Sequence, residues 1–200
     1  MSRQGSWPRG FFKWITVHGR RTSAAAALRP AVGLSGLLLL GLGLLFGREL
    51  EWFLLKRSLR SRFRDERWIT TRQLADWLAD RRRPAPVLLD VRTPAERKVS
   101  HLPGARRVDP QANAKTAAGD LAKDAPIVTY CAVGYRSGAM AHRLRAAGYT
   151  QVQNLEGSIF QWANEHRPLV HGGERVSRVH PFDSFWGRLL EPDVRATASE

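Results

Sequence analysis

Between residues 68 and 165, short apolar runs alternate with segments whose apolar residues recur at helical spacing. The runs at 87–91 and 127–130 are almost continuously apolar, as strands of a parallel sheet buried on both faces are. Residues 137–147 follow the second run and predict a helix that ends at Gly148. This alternation predicts an α/β fold, a small parallel sheet with helices on both faces.

The remaining elements of this fold are shorter. The sequence predicts three further strands and two further helices, the first of which opens with a capping box at Thr70–Gln73. The strands are expected at 68–70, 105–108 and 152–155, and the last helix at 159–165. Residues 68–170 therefore form the predicted domain. Its central strand, 127–130, leads into a loop at the carboxyl end of the sheet, where such sheets bind ligands.

A different pattern precedes this domain. Residues 1–30 are basic and irregular, and residues 31–47 contain no charged side chain. As a helix, residues 31–47 would span about 25 Å, at the short edge of the transmembrane range, and predict a single-pass membrane anchor. A signal-peptide apolar region and a start site that lies further downstream remain alternatives. More basic residues follow the segment than precede it, which favours a cytoplasmic location for the domain.

Two segments flank the domain. Residues 48–67 form a basic amphipathic linker that either lies on anionic lipid or packs against the domain. Residues 171–200 form a C-terminal extension. Its aromatic stretch around Phe182–Trp186 is too apolar for a free tail, so we expect it to dock on the domain, with a lid or a membrane contact as the alternative.

Composition adds three constraints. The net charge of +14 arises mainly from the first 72 residues. Because the basic residues there flank an apolar run, they indicate a membrane surface rather than a nucleic acid as partner. The single cysteine, Cys131, excludes an intramolecular disulfide and a resolving thiol within the chain. The six histidines show no metal-ligand spacing, and no cofactor signature occurs, so we expect no metal and no cofactor.

Cys131 is the candidate nucleophile. It lies between a predicted buried strand and a predicted helix, where turn N–H groups and the helix dipole favour a thiolate. Arg136 adds a positive charge, and Gly134 permits a tight turn. The loop residues are the candidate substrate-binding groups. They are Ala132, Val133, Gly134, Tyr135, Arg136 and Ser137.

Five ordered motifs carry a resemblance to a known family. They are Asp90-Val91-Arg92 with Glu96, His101-Leu102-Pro103-Gly104-Ala105, Cys131-x4-Arg136-Ser137, Asn154-Leu155-Glu156-Gly157, and Trp162. Together they resemble the rhodanese-like sulfurtransferase family. The chain departs from the family pattern at Ser158 and Ser100, where glycine is common.

The resemblance implies sulfur transfer through a Cys131 persulfide. A sulfane sulfur would pass from thiosulfate or another small sulfur-containing anion to cyanide, an external thiol or a protein acceptor. We interpret Asp90, Arg92 and Glu96 as residues that support the loop. Arg136 either braces the loop by pairing with Glu96 or Asp90, which we favour, or holds the substrate anion. A non-catalytic rhodanese-like binding module at the membrane is the alternative. A phosphatase or arsenate reductase is disfavoured, because related enzymes of that kind carry a loop one residue longer than the six residues from Cys131 to Arg136.

Overall fold

The computed structural model describes the backbone of residues 34–197 and the side chains of residues 47–197. The chain divides into a first unit, Met1–Leu39, and a second unit, Leu40–Glu200. The sheet, the helices that pack on it and the candidate site all belong to the second unit. The predicted basic N-terminus, residues 1–30, lies outside the described residues.

A five-stranded parallel sheet forms the centre of the domain. Its strand order is β1-β5-β4-β2-β3, and each neighbouring pair runs parallel. The strands are β1 (Arg67–Ile69), β2 (Val87–Asp90), β3 (Arg106–Arg107), β4 (Ile127–Tyr130) and β5 (Val152–Leu155). All four residues of β4 are buried, as its apolar sequence requires for a central strand. The predicted parallel α/β fold is confirmed.

Six helices accompany the sheet. They are α2 (Thr71–Ala79), α3 (Pro94–Val99), α4 (Ala114–Ala118), α5 (Tyr135–Ala146), α6 (Ser158–Asn164) and α7 (Ser184–Gly187). The predicted capping box of α2 is present, with Thr70 and Gln73 bonded reciprocally. Helix α5 begins two residues earlier than predicted, because Gly134 adopts a left-handed conformation and occupies the N-cap. Helix α5 packs against the sheet, where its buried side chains form a hydrophobic core with Leu89, Ile127 and Val152 of the strands.

The N-terminal part of the described chain is one long helix, α1 (Leu34–Arg62). Among the described residues, none of the helices has both the length and the apolar character needed to cross a lipid bilayer. The predicted anchor, 31–47, falls almost entirely on residues whose side chains lie outside the described part. Anchoring by this segment therefore stays a prediction.

The carboxyl half of α1 has two different faces. Trp52 and Leu59 are buried against the domain. Leu50, Phe53 and Leu54 are more than half exposed, at 56%, 60% and 54%. The basic linker predicted at 48–67 is thus largely helical, and its packing on the domain leaves an apolar strip uncovered.

The C-terminal extension folds back on the domain, as predicted. Strands β6 (Leu169–His171) and β7 (Glu174–Val176) form an antiparallel hairpin, and Trp186, Leu189, Leu190 and Val194 are buried. The side chain of Asn164 in α6 fixes this segment, since it donates to the carbonyl of Leu189 at 2.8 Å and accepts from the amide of Glu191 at 2.9 Å.

Candidate active site

Cys131 follows directly after β4, at the carboxyl end of the central strand. Only 1% of its surface is exposed. The loop turns at Gly134, whose φ of 114° lies in the left-handed region that glycine adopts without strain. Helix α5 starts at the next residue, so its N-terminal dipole points toward the thiol. Sequence and structure therefore place the thiol in the same strand-to-helix turn.

Two donors contact the sulfur. The amide of Gly134 donates to Sγ of Cys131 at 3.2 Å, and the hydroxyl of Ser137 lies 3.5 Å from the same sulfur. The amide belongs to the six-residue loop, and the hydroxyl belongs to the residue that directly follows it. Inward-pointing donors of this kind favour an anion. The side chain of Asn154 on β5 supports this turn by donating to the carbonyl of Gly134 at 2.9 Å.

The surroundings of Cys131 favour the thiolate. Burial raises the pKa of the thiol, but the positive charge of Arg136 and the hydrogen bonds from Ser137 and Gly134 outweigh that effect and leave the pKa below its ordinary value. A thiolate is the nucleophilic form of cysteine. The surroundings therefore favour the nucleophilic form of Cys131.

Arg136 is braced by Glu96. The guanidinium donates two hydrogen bonds of 2.7 Å, one to each carboxylate oxygen of Glu96. Glu96 is held in turn by Thr93, whose amide and hydroxyl donate to Oε2 in the capping box of α3. Burial raises the pKa of Glu96, but Arg136 and Arg92 hold it below its ordinary value. The predicted bracing partner is thus Glu96 rather than Asp90.

Asp90 and Arg92 form a second, fully buried ion pair. Arg92 donates to both carboxylate oxygens of Asp90, at 2.8 and 2.7 Å, and to the carbonyl of Ser100 at 2.6 Å. The hydroxyl of Tyr130 donates to Asp90 at 2.9 Å. Because Tyr130 immediately precedes Cys131, this pair fixes the end of β4 and supports the loop indirectly.

Helix α6 closes the other side of the loop. The amides of Ile159 and Phe160 donate to the carbonyls of Cys131 and Ala132, at 3.2 and 3.1 Å. The amide of Cys131 donates to the hydroxyl of Ser158 at 3.2 Å. Ser158 has a φ of 52°, in the left-handed region, at the position where the family usually has glycine.

Of the predicted loop residues, Gly134 and Ser137 contact the sulfur of Cys131, and Arg136 acts on it through its positive charge. The structure also shows contributors that the sequence did not reveal. Asn154 was noted only as part of a motif, and Ser158 only as a departure from one. Phe63 and Phe182 also lie against the loop, beside Tyr135 and Arg136 respectively. Both phenylalanines come from outside the motif region, and a single sequence holds no signal that pairs them with residues so far along the chain.

Comparison with known proteins agrees with this architecture. The model of the rhodanese-like domain family matches residues 74–165. The thiosulfate sulfurtransferase GlpE of Pseudomonas aeruginosa is 32% identical over 88 residues, which cover 44% of this chain and 78% of that protein. The chain belongs to the rhodanese-like family. The family domain contains Cys131, Arg136 and Glu96, whereas Phe63 and Phe182 lie outside the matched range.

Two further similar proteins differ in how much of their own length this chain covers. The probable adenylyltransferase/sulfurtransferase MoeZ of Mycobacterium tuberculosis is 35% identical over 101 residues, which are 50% of this chain and 25% of MoeZ. The chain thus spans only about a quarter of that relative. A solved rhodanese-related protein of Thermoplasma volcanium has 25% identity and a TM-score of 0.44, and covers 52% of this chain and 97% of that one.

Proposed function

We propose that this protein is a sulfurtransferase that carries a sulfane sulfur as a persulfide on Cys131. The observation that carries the proposal is the sulfur of Cys131, which accepts from Gly134 and Ser137 at the N-terminus of α5 beside Arg136. The family, and the name of the thiosulfate sulfurtransferase relative, support the same chemistry.

In the first half-reaction, the Cys131 thiolate attacks the outer sulfur of thiosulfate. A sulfur–sulfur bond forms to Cys131, the original sulfur–sulfur bond breaks, and sulfite leaves with the bonding electron pair. The positive charge of Arg136 and the loop donors stabilise the anionic groups in this step. No oxidant is required, because the outer sulfur of thiosulfate is already a sulfane sulfur and keeps that oxidation level in the persulfide.

In the second half-reaction, an external nucleophile attacks the outer sulfur of the persulfide. Cyanide would give thiocyanate, and a thiol would give a new persulfide, while the Cys131 thiolate leaves. Cys131 is the only cysteine of the chain, so the acceptor must come from outside. The same donors that hold the entering anion stabilise the departing thiolate.

The compact loop favours sulfur over phosphate chemistry. The amide of Gly134 and the hydroxyl of Ser137 lie only 3.2 and 3.5 Å from Sγ, so the loop closes tightly around the sulfur. The loop also lacks the additional residue that phosphatases and arsenate reductases resembling this family carry. A bound terminal sulfur is smaller than a tetrahedral phosphate, so we expect vanadate and arsenate not to compete with thiosulfate.

Intact-mass spectrometry of the full chain tests the proposal. The full chain is the proper material, because Leu59 and Phe63 of its N-terminal part pack near Gly134 and Gly138. We expect thiosulfate to add the mass of one sulfur atom, a reductant to remove it, and Cys131→Ser to abolish the gain while the protein remains folded. No gain on folded protein with thiosulfate or glutathione persulfide would refute sulfur transfer and favour the binding module.

Membrane association is a second proposal, and the outer face of α1 supports it. The exposed apolar strip of Leu50, Phe53 and Leu54 continues into a basic groove of about 600 Å³. The groove is lined by Phe53, Lys56, Arg57, Arg60, Ser61, Arg64 and Glu156. An apolar strip beside arginines and a lysine complements an anionic lipid surface. The cytoplasmic location of the domain stays a prediction.

Vesicle flotation tests this docking surface. The full chain is mixed with vesicles of phosphatidylcholine alone or with added phosphatidylglycerol. We expect preferential binding to the anionic vesicles, and weaker binding for Phe53→Ser and Arg57→Gln. Glu174→Gln, a charge change on the exposed β6–β7 hairpin, serves as the control. Equal binding of all variants to both vesicle types would contradict docking through this face.

A further inference from the structure

The loop around Cys131 is open to solvent at only two of its residues. Tyr135 and Arg136 are partly exposed, whereas the other five residues from Cys131 to Ser137 are buried. The guanidinium side chain of Arg136 is 16% exposed. Tyr135 and Arg136 are therefore the residues of this loop that face solvent.

Each of the two is covered by an aromatic ring from an appended segment. The ring of Phe63 meets that of Tyr135 edge to face, with centroids 5.7 Å apart. The ring of Phe182 lies 5.0 Å from Cζ of Arg136, in cation–π geometry. In the sequence, Phe63 precedes residues 74–165, which match the family model, and Phe182 follows them. The two solvent-facing residues of the loop are thus contacted by rings that the family domain does not supply.

Phe182 is held in place by an unusual turn. Its φ of 67° lies in the left-handed region, where a bulky side chain is strained. The turn is closed by a hydrogen bond of 2.8 Å from the amide of Asp183 to the carbonyl of Pro181, the pattern of a γ-turn. The amide of Phe182 also donates to Nδ1 of His180 at 2.9 Å.

Helix α7 secures the same turn. Asp183 caps it by accepting from the amide of Trp186 at 2.8 Å. Gly187 packs so tightly on Pro181 that an added Cβ would lie 2.7 Å from the Cβ of that proline. Strained backbone persists only where its surroundings over-determine it, and such positions concentrate at ligand clamps and active sites.

We propose that Phe182 and Phe63 are specificity-determining residues that restrict the approach to Cys131 by size. They admit small sulfur anions and low-molecular-weight thiols and exclude the thiols of folded proteins while the Phe182 turn is in place. The assignment of a substrate class rests on the proposed function, whereas the restriction of access depends only on the geometry of Tyr135, Arg136 and the two rings.

Alkylation of Cys131 by two maleimides of different size measures the restriction directly. N-ethylmaleimide is the small probe and a polyethylene-glycol-linked maleimide is the large one, so the reacting group is the same. We expect Phe182→Ala to raise the ratio of the large-probe rate to the small-probe rate by about tenfold or more, a change of about 1.4 kcal/mol in barrier. Phe63→Leu, which leaves a shorter side chain beside Tyr135, should raise it less.

The control is Phe185→Ala. Phe185 lies in α7 of the same segment, where its ring contacts Trp186 and the guanidinium of Arg188. We expect its rate ratio to equal that of the wild type. If Phe182→Ala lowers the melting temperature, Phe182→Leu gives a second measurement, with an intermediate ratio expected. An unchanged ratio in folded Phe182→Ala or Phe182→Leu overturns the proposal.

Persulfide loading separates this proposal from the proposed function. If thiosulfate loads the wild type and the alkylation ratio responds to Phe182→Ala, both stand. If no variant forms a persulfide, sulfur transfer fails, while the alkylation ratio still decides whether the rings restrict access. If the wild type passes sulfur to a reduced protein thiol as fast as to glutathione, the size restriction is refuted even though transfer occurs.

Discussion

The close approach of Gly138 to Phe63 gives the sharpest prediction about stability. Gly138 lies in the second turn of α5, and Phe63 immediately follows α1. A Cβ added at Gly138 would lie 2.8 and 2.9 Å from two ring carbons of Phe63 and 3.1 Å from Nδ2 of Asn154. Both neighbours matter for function, because Phe63 contacts Tyr135 and Asn154 holds the turn at Gly134.

The expected cost of Gly138→Ala follows from two opposing effects. Alanine favours a helix interior over glycine by about 1 kcal/mol. Overpacking a tight contact costs about 1–3 kcal/mol, because the ring has to move. We therefore expect a net loss of up to about 2 kcal/mol in the free energy of unfolding. We also expect slower alkylation of Cys131, because Asn154 is displaced.

A double-mutant cycle tests the stated cause. Phe63→Leu shortens the side chain that the new methyl group meets, so Gly138→Ala should become neutral or stabilising in that background. The coupling free energy should be about 1–2 kcal/mol, within the range for residues in contact. Urea unfolding of the full chain, followed by tryptophan fluorescence, measures all four proteins.

Phe53→Leu is the matched control, since Phe53 is 60% exposed on the same α1 helix. Its effect should stay within about 0.5 kcal/mol. If Gly138→Ala costs the same free energy in both Phe63 backgrounds, or stabilises the wild type, the reasoning from this contact is refuted.

Three further predictions concern the buried charges. Arg136→Gln removes a positive charge beside Cys131, so the midpoint of the pH profile for alkylation of Cys131 should move to higher pH. A midpoint at the same or lower pH would contradict the role given to Arg136. The lowered pKa of Glu96 means that its ion pair stabilises the fold above the pKa of Glu96 in the unfolded chain, and this contribution is lost as pH falls through the folded-state value. Glu96→Gln should therefore be less stable by about 3 kcal/mol at neutral pH, with the difference shrinking in acid, and a pH-independent difference in urea unfolding would count against the ion pair. Arg92→Leu leaves the carboxylate of Asp90 buried without its main partner and should cost about 3–5 kcal/mol. Adding Asp90→Asn should recover part of that loss, whereas strictly additive effects in urea unfolding would show that the two residues act independently.

Local sequence was sufficient to predict the strands of the parallel sheet, the loop and the candidate nucleophile. Residues 127–130 are apolar throughout because a central parallel strand is buried on both faces, and all four are buried in the structure. Gly134 marks the turn because its left-handed conformation is open to glycine at no steric cost. The capping residue Thr70 acts on an amide only three positions away, so its local pattern predicts the start of α2.

For residues far apart in the sequence, the sequence reduced the number of candidate partners but did not identify the partner. Two carboxylates, Glu96 and Asp90, were equally plausible partners for Arg136 from the sequence. The structure assigns Glu96 to Arg136. Asp90 already accepts three hydrogen bonds from Arg92, two from its side chain and one from its backbone amide. It accepts one more from Arg97 and one from the hydroxyl of Tyr130. Ser158 appeared in the sequence only as a departure from glycine, whereas its hydroxyl accepts the amide of Cys131.

By itself, the sequence determined the candidate nucleophile, Cys131, and the kind of fold that presents it, because strand burial, turn conformation and helix capping depend on residues close together along the chain. Only the tertiary structure decided what surrounds the sulfur of Cys131. Phe63 and Phe182 reach Tyr135 and Arg136 because α1 and the C-terminal extension each bury one apolar face against the domain. Where a buried face docks depends on the complete shape of its partner surface, which no single segment encodes.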